Sequence, residues 1–314
     1  MRISLRVILA LFALFSLAAT GCASFDEWQR NAIFQTGAAS SRFSLDSVPP
    51  EVEAFDLHHP NGDIVHAWYY PAEEKSASTV LFLHGARRNL PGNLARIEHL
   101  HALGFSVLAI DYRGFGRSTA LLPSEDTAIA DASLAVAELK RREPDAGKRF
   151  LYGYSLGGAL AIAMAAEHDG FTGIVVESSF TSIADLVRQS KWGWVPGLPL
   201  LVTQGFDSAE RIRKVNEPLL FIHGTLDSVV PHTMSDELLK DAVAVRPEYK
   251  HVLKIEGGRH WGFSLAGETY DRAVRDFART STEAAILGAG VSATSAVSQG
   301  AGGVQGAQGA QGVR

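Results

Sequence analysis

A serine lies between two glycines in the stretch Gly153-Tyr154-Ser155-Leu156-Gly157. Strand-like residues precede this stretch and an alanine-rich, helix-like run follows it, so we expect Ser155 at a sharp strand-to-helix turn. Such a turn holds a hydroxyl clear of its own backbone, and only glycine fits easily at the crowded positions 153 and 157. The pattern predicts a nucleophilic serine. The simpler alternative is that Ser155 only caps the helix.

A serine hydroxyl becomes a useful nucleophile when a base removes its proton and a third group orients that base. Asp227 follows the strand-like stretch "PLLFIHG" and His260 follows "VLKIEG". Both are therefore expected at the carboxyl edge of a parallel sheet, together with Ser155, in the chain order serine, acid, histidine. Glu177, at the end of "GIVVE", is the alternative acid. Asp227 and His260 also have simpler interpretations, as a helix cap and as a surface histidine.

Acyl transfer at such a serine also needs N–H donors for the negative charge that develops on the substrate oxygen. Leu156 supplies one backbone N–H at the start of the helix. Ala86, directly after "FLHG", is the predicted second donor. His84 precedes Ser155 in the chain, so it is interpreted as a residue that shapes this loop and not as the base.

Alternating strand-like and helix-like stretches between residues 51 and 287 must position these groups. Continuous apolar strands separated by helices predict one α/β domain with a mostly parallel, doubly wound sheet and helices on both faces. The early stretches "EVEAFDL" and "DIVHAWYYP", divided by the turn signal "PNGD", predict an antiparallel hairpin at one edge. Ser124 is expected to begin a long amphipathic helix.

The N-terminus carries Arg2 and Arg6 and then an apolar run, residues 7–19, which suits a secretory signal better than a membrane span. The run ends at "AATGC", which resembles the bacterial lipobox. The sequence thus predicts a lipoprotein signal peptide over residues 1–21, lipidation of Cys22, and a linker over residues 22–50. Cys22 is the only cysteine, so no disulfide is expected. The residue after Cys22 is Ala23 and not an aspartate. In bacterial lipoproteins, which this stretch resembles, that choice indicates an outer-membrane location, here facing the periplasm.

Composition and residue spacing indicate which partners and cofactors are not expected, and what the C-terminal residues form. The formal net charge is −5 and no Lys/Arg-rich run is present, which argues against a nucleic-acid partner. The histidine pairs at 58–59 and 99–101 lack the i, i+4 spacing that would present two ligands on one helix face, so no metal or other cofactor is predicted. Residues 288–314, rich in Gly, Ala, Ser and Gln, predict a disordered tail. The oligomeric state is not predicted.

In order along the chain, the stretches "LHGARRN", "DYRGFGRS", "GYSLGG", "ESSFTS", "FIHGTLDSVVP" and "GGRHWGF" resemble the α/β-hydrolase superfamily. The similarity is greatest to the branch with little or no cap, which includes serine-aminopeptidase-like hydrolases and depalmitoylating thioesterases. The resemblance implies that Ser155 is the nucleophile, His260 the general base and acid, and Asp227 the orienting carboxylate. The amides of Ala86 and Leu156 would be the oxyanion donors.

This resemblance favours a serine hydrolase that acts on carboxylic esters or thioesters of a small-molecule or acylated substrate. A serine peptidase is the nearest alternative, and a non-catalytic binding protein anchored in the envelope is the alternative of another class. The one insertion-like stretch is residues 189–207. Its Trp192, Trp194 and Pro196 are expected either to line a shallow apolar mouth or to pack a helix onto the sheet.

Overall fold

The computed structural model describes residue 21 and residues 23–36, 48–261 and 267–301. The strands are β1 (Glu53–His58), β2 (Ile64–Tyr70), β3 (Thr79–Leu83), β4 (Ser106–Ile110), β5 (Arg149–Tyr154), β6 (Gly173–Glu177), β7 (Leu219–Gly224) and β8 (Lys250–Ile255). The helices are α1 (residues 23–34), α2 (Leu94–Ala102), α3 (Glu125–Arg142), α4 (Leu156–Glu167), α5 (Ile183–Gln189), α6 (Ser208–Arg211), α7 (Thr233–Asp241) and α8 (Glu268–Ala301). Short 3-10 helices are Pro91–Asn93, Ala146–Lys148, Leu198–Leu201, Ile212–Lys214 and Pro247–Tyr249.

The eight strands form one sheet in the order β1-β2-β4-β3-β5-β6-β7-β8. β1 pairs with β2 and β2 with β4 in antiparallel register, and the remaining neighbours are parallel. The predicted fold class is therefore confirmed, including the N-terminal hairpin. Because β3, β5, β6, β7 and β8 run in the same direction, the loops after them meet at one edge of the sheet.

Alternate side chains of the central strands point into two separate hydrophobic layers. In β3, Leu81 and Leu83 lie in the layer that contains residues of α3 and α4, whereas Val80 and Phe82 lie in the layer that contains residues of α2 and α8. This alternation is the two-residue period of a strand, and burial of both faces explains why the strand reads as continuously apolar.

The first residues of α4 and α3 show how these two helices are fixed at their N-termini. The first ten residues of α4, 156–165, are all buried, as expected for a helix that is apolar on every side, so its start is held firmly against the sheet. Ser124 begins α3 as predicted, because its Oγ accepts the N–H of Thr127 at 3.2 Å.

Two regions outside the sheet differ from the sequence prediction. Residues 22–50 were expected to be a linker, but they include α1, whose Phe34 is fully buried in the same layer as α4. Phe34 contacts Phe206 edge-on, with ring centroids 5.9 Å apart. At the other end, α8 continues to Ala301, past residue 288 where the tail was predicted to begin.

Candidate active site

Ser155 lies between β5 and α4 in a backbone conformation that few residues adopt. Its φ is +54° and its ψ is −119°, which is strained for any residue with a Cβ. The flanking glycines are needed because the chain is crowded here. A Cβ at Gly153 would lie 2.6 Å from the carbonyl carbon of Gly157, and a Cβ at Gly157 would lie 2.5 Å from that of Leu83. The turn therefore presents the hydroxyl at the carboxyl edge of the sheet.

The structure brings the three predicted residues together from three loops. Ser155 Oγ lies 3.1 Å from His260 Nε2, and His260 Nδ1 lies 2.7 Å from Asp227 Oδ2. The second carboxylate oxygen of Asp227 accepts the backbone N–H groups of Val229 and Val230 at 2.8 and 2.9 Å. This anchoring holds the carboxylate toward His260, whose Nδ1–H therefore donates to it and whose Nε2 is left to accept from the serine.

A second histidine also contacts Asp227, and sequence reasoning did not identify it. His223 Nε2 lies 3.2 Å from Asp227 Oδ2 and 3.1 Å from the carbonyl oxygen of Val230, so this nitrogen carries the proton and donates to both. Its Nδ1 accepts from the Ser235 hydroxyl. Little in the sequence indicated this role, because His223 is a single polar residue within the buried strand β7.

Asp227 is buried, and burial alone would raise the pKa of its carboxyl group. Hydrogen bonds from His223 and His260, and the attraction of His260, outweigh that effect and hold the pKa well below its ordinary value. The Asp227 carboxylate is therefore ionised at neutral pH and lies beside the His260 imidazole.

The two predicted amide donors border the same serine. Leu156 is the first residue of α4, where a backbone N–H has no acceptor inside the helix. The loop after β3 passes close to Ser155, since a Cβ on Gly85 would lie 3.1 Å from the Ser155 Cβ. Ala86 follows in that loop and lines the cavity above Ser155. The N–H of Arg87 donates to the carbonyl oxygen of Phe34 at 3.1 Å, so the end of α1 holds this loop.

Glu177, the alternative acid, and His84 both have partners outside the pair Asp227 and His260. Glu177 is fully buried, lies 2.6 Å from Arg96 and accepts the Tyr152 hydroxyl. Asp227, not Glu177, contacts His260. His84 is buried in the loop after β3, where its Nδ1 lies 2.7 Å from the carbonyl oxygen of Gly85. This placement agrees with its interpretation as a loop-shaping residue.

A cavity of about 430 Å³ opens above Ser155. Apart from Ser155 and His260, most of its lining is apolar and includes residues of α5 and of the loop after β7, together with Trp261. Ala32, Ile33 and Gln35 close one side, and all three lie in the segment that the sequence predicted as a linker. Arg87 borders the cavity and donates through Nε to Gln35 Oε1 at 2.7 Å.

The two tryptophans of the insertion-like stretch do not pack onto the sheet, whereas Phe206 near its end is buried in the core. Trp192 and Trp194 are 55% and 76% exposed, and Trp192 lines a second cavity beside the first. Within residues 21, 23–36, 48–261 and 267–301, no group of three His, Cys, Asp or Glu side chains could hold a metal ion. Cys22 lies outside the described residues. In the described part of the chain, none of the helices combines the length and the apolar content needed to cross a bilayer.

Comparison with known proteins agrees with this architecture. Residues 74–201 match the family described as "Serine aminopeptidase, S33". An uncharacterised protein of Mycobacterium tuberculosis is 33% identical over 285 residues, covering 89% of this chain and 97% of that protein. An esterase of Pyrococcus furiosus has a similar structure, with a TM-score of 0.60, 20% identity, and coverage of 73% of this chain and 92% of that one.

The acylaminoacyl peptidase of Pyrococcus horikoshii is similar with a TM-score of 0.54 and 20% identity, covering 71% of this chain and 39% of that one. At this identity both solved structures show a shared fold and leave the substrate open. The family match and the sheet topology support a hydrolase. The chain therefore has the α/β-hydrolase fold, and its residues 74–201 match the serine aminopeptidase (S33) family.

Proposed function

We propose that this protein is a serine hydrolase that cleaves carboxylic esters or thioesters through an acyl-enzyme, with Ser155, His260 and Asp227 as its catalytic triad. The observation that carries the proposal is the pair of contacts at His260, 3.1 Å to the Ser155 hydroxyl and 2.7 Å to the Asp227 carboxylate. A binding protein that retained only the scaffold would have no need of a strained serine aligned with both groups.

In the acylation step, Ser155 Oγ attacks the carbonyl carbon of the substrate while His260 Nε2 takes the hydroxyl proton. The C–O bond to the serine forms, and the negative charge moves to the carbonyl oxygen, which accepts hydrogen bonds from the amides of Leu156 and Ala86. When the tetrahedral intermediate collapses, the bond to the leaving group breaks and His260 gives its proton to the departing alcohol or thiol.

In the deacylation step, His260 removes a proton from water, which attacks the acyl-enzyme. Ser155 then leaves as its hydroxyl and the carboxylic acid is released. Asp227 remains ionised throughout, so it stabilises the imidazolium that forms twice in the cycle without taking the proton itself.

A peptidase with aminopeptidase-like specificity is the second candidate, because the matched family is described by that activity. Such an enzyme must bind the free ammonium group of its substrate. Arg87 borders the cavity above Ser155, and its guanidinium would repel an ammonium ion. The charge and the mainly apolar lining therefore favour the neutral acyl group of an ester or thioester.

A fluorophosphonate probe tests the nucleophile. We expect labelling of the full-length protein, loss of labelling in Ser155→Ala, and retained labelling in Ser190→Ala, which changes another serine that lines the cavity. Labelling that survives in Ser155→Ala would refute the assignment. Comparing p-nitrophenyl esters, an acyl thioester and aminoacyl anilides then separates esterase, thioesterase and peptidase activity.

The lipobox-like stretch adds a location to this proposal, which is the periplasmic face of the outer membrane, with a lipid on Cys22. It is supported by the apolar run before Cys22 and by the small residues that adjoin it. Mass spectrometry of the mature N-terminus should find an acylated Cys22, and Cys22→Ala should release the protein from membranes. An unmodified cysteine would contradict the proposed location.

A further inference from the structure

A second cavity of about 210 Å³ lies between α1 and the stretch that follows α5. We refer to it as the α1 groove. Trp28 forms part of one wall, and Trp192, Leu198 and Val202 form part of the other. None of these residues belongs to the catalytic triad or to its amide donors.

The α1 groove adjoins the cavity above Ser155 and shares five lining residues with it. Ala32 and Ile33 of α1, Ile183 and Val187 of α5, and Ser190 line both spaces. A ligand whose reactive carbonyl lies at Ser155 can therefore extend along α1 into the groove without leaving the protein surface.

The lining of the groove is suited to hydrocarbon. Gln29 is its most polar side chain, and both ends of that amide are occupied: Nε2 donates to the carbonyl oxygen of Leu201 at 2.9 Å, and Oε1 accepts the N–H of Thr203 at 3.1 Å. The Ser190 hydroxyl donates to the carbonyl oxygen of Val187 at 2.7 Å. A ligand in the groove meets apolar surface and polar groups that are already paired, which favours an unbranched alkyl chain.

Helix α1, which forms one wall of the groove, is anchored to the rest of the domain along its length. Besides the buried Phe34, Arg30 Nε donates to the carbonyl oxygen of Pro123 at 2.8 Å, and Asp26 Oδ1 accepts the Thr203 hydroxyl at 2.7 Å. These contacts fix both ends of the helix against the domain, so the groove exists before a ligand binds.

From this shared lining and from the apolar character of the groove, we propose that the α1 groove binds the long acyl chain of the substrate, which makes the enzyme selective for long-chain acyl esters or thioesters. This rests on the proposed function, since it assigns the acyl side of the same reaction. Each methylene buried from water gains about fourfold in affinity, so chain length should matter strongly.

The test compares short and long acyl chains in a variant that fills the groove. Val202→Trp places a large ring in a wall that the cavity above Ser155 does not share. Leu200→Trp is the matched control two residues earlier, in the 3-10 helix Leu198–Leu201, because Leu200 is 86% exposed and lines neither space. The full-length proteins, in lipid nanodiscs, are assayed with p-nitrophenyl acetate and p-nitrophenyl dodecanoate.

We expect Val202→Trp to lower kcat/KM for the dodecanoate by at least about fifteenfold, the effect of excluding two methylenes. Its kcat/KM for the acetate should stay within about twofold, which also shows that the variant is folded. Leu200→Trp should change neither. An equal loss for both esters, or no loss for either, would overturn the proposal. Trp28→Ala, which removes exposed surface from the opposite wall, should weaken the long ester alone.

A binding measurement separates this inference from the proposed function. Dodecanoic acid with a terminal diazirine is photolysed with the Ser155→Ala protein, and the labelled peptides are mapped. We expect labels within residues 23–36 and 190–202, their loss when Val202→Trp is added, and their retention with Leu200→Trp. Labelling of the groove, together with no hydrolysis of any ester or thioester by the unsubstituted protein, would support the groove and refute the proposed reaction. Absence of these labels, including the case in which residues 7–19 occupy the groove, would refute the groove.

Discussion

Replacing Phe34 by alanine tests whether α1 is an integral part of the domain. Phe34 is fully buried, contacts Phe206 edge-on, and its carbonyl oxygen accepts the N–H of Arg87 in the loop that contains Ala86. The substitution therefore removes a core side chain from one end of the helix that encloses the site.

The expected cost in the free energy of unfolding is about 3–5 kcal/mol, because Phe→Ala at a fully buried site loses the transfer free energy of the ring and leaves a cavity. The edge-on pair with Phe206 accounts for about 0.5–1.5 kcal/mol of that total. Trp28→Ala, in the same helix, is the control: Trp28 is 64% exposed, so its replacement should change stability by about 0.5 kcal/mol or less.

Urea denaturation followed by far-ultraviolet circular dichroism measures this difference, with the m-value reporting how much surface each transition exposes. Ester hydrolysis in the absence of urea should also fall in Phe34→Ala, since the loop that holds Ala86 loses part of its support. A change in stability of less than about 1 kcal/mol would refute the reasoning. So would an early transition of low m-value with the main transition unmoved, because α1 would then detach independently of the core.

Three further substitutions test other parts of the site. Gly157→Ala should destabilise the protein by at least about 3 kcal/mol in the same urea assay, because the new Cβ would overlap the carbonyl group of Leu83; a variant of normal stability would contradict this. Asp227→Asn should lower kcat for a short ester by about 10⁴-fold while the circular dichroism spectrum is unchanged, and a loss below about tenfold would argue against its orienting role. Glu177→Ala should cost about 3–5 kcal/mol, because it leaves the buried guanidinium of Arg96 unpaired, whereas a neutral effect on thermal stability would show that this ion pair is dispensable.

The parts of the site that were predicted from sequence depend on local pattern and on chain direction. Glycines at 153 and 157 signal a turn that no other residue fits, and the serine between them follows from that turn. Asp227 and His260 follow strands of a parallel sheet, and a parallel sheet brings such loops to one edge whatever the intervening helices contain. Their convergence on one hydroxyl was therefore open to prediction without coordinates.

The partners of these residues were less accessible to sequence reasoning. His223 contacts Asp227 only because β7 and the loop after it fold back on each other, and a single histidine in a buried strand has no distinguishing pattern. Residues 22–50 looked like a linker because the segment lies between a signal-like run and the first strand. Its role depends on contacts with residues far along the chain, such as Phe206 and Thr203.

The amino-acid sequence by itself determined the order of the eight strands, the crowded turn around Ser155, and the chain order of nucleophile, acid and base. These features depend on residues that are close in sequence or on the fixed direction of parallel strands. Only the tertiary structure decided that α1 closes the cavity and borders an apolar groove, and that a second histidine supports Asp227. Those features arise from side chains distant in sequence packing against each other, and no local pattern specifies which distant surfaces will meet.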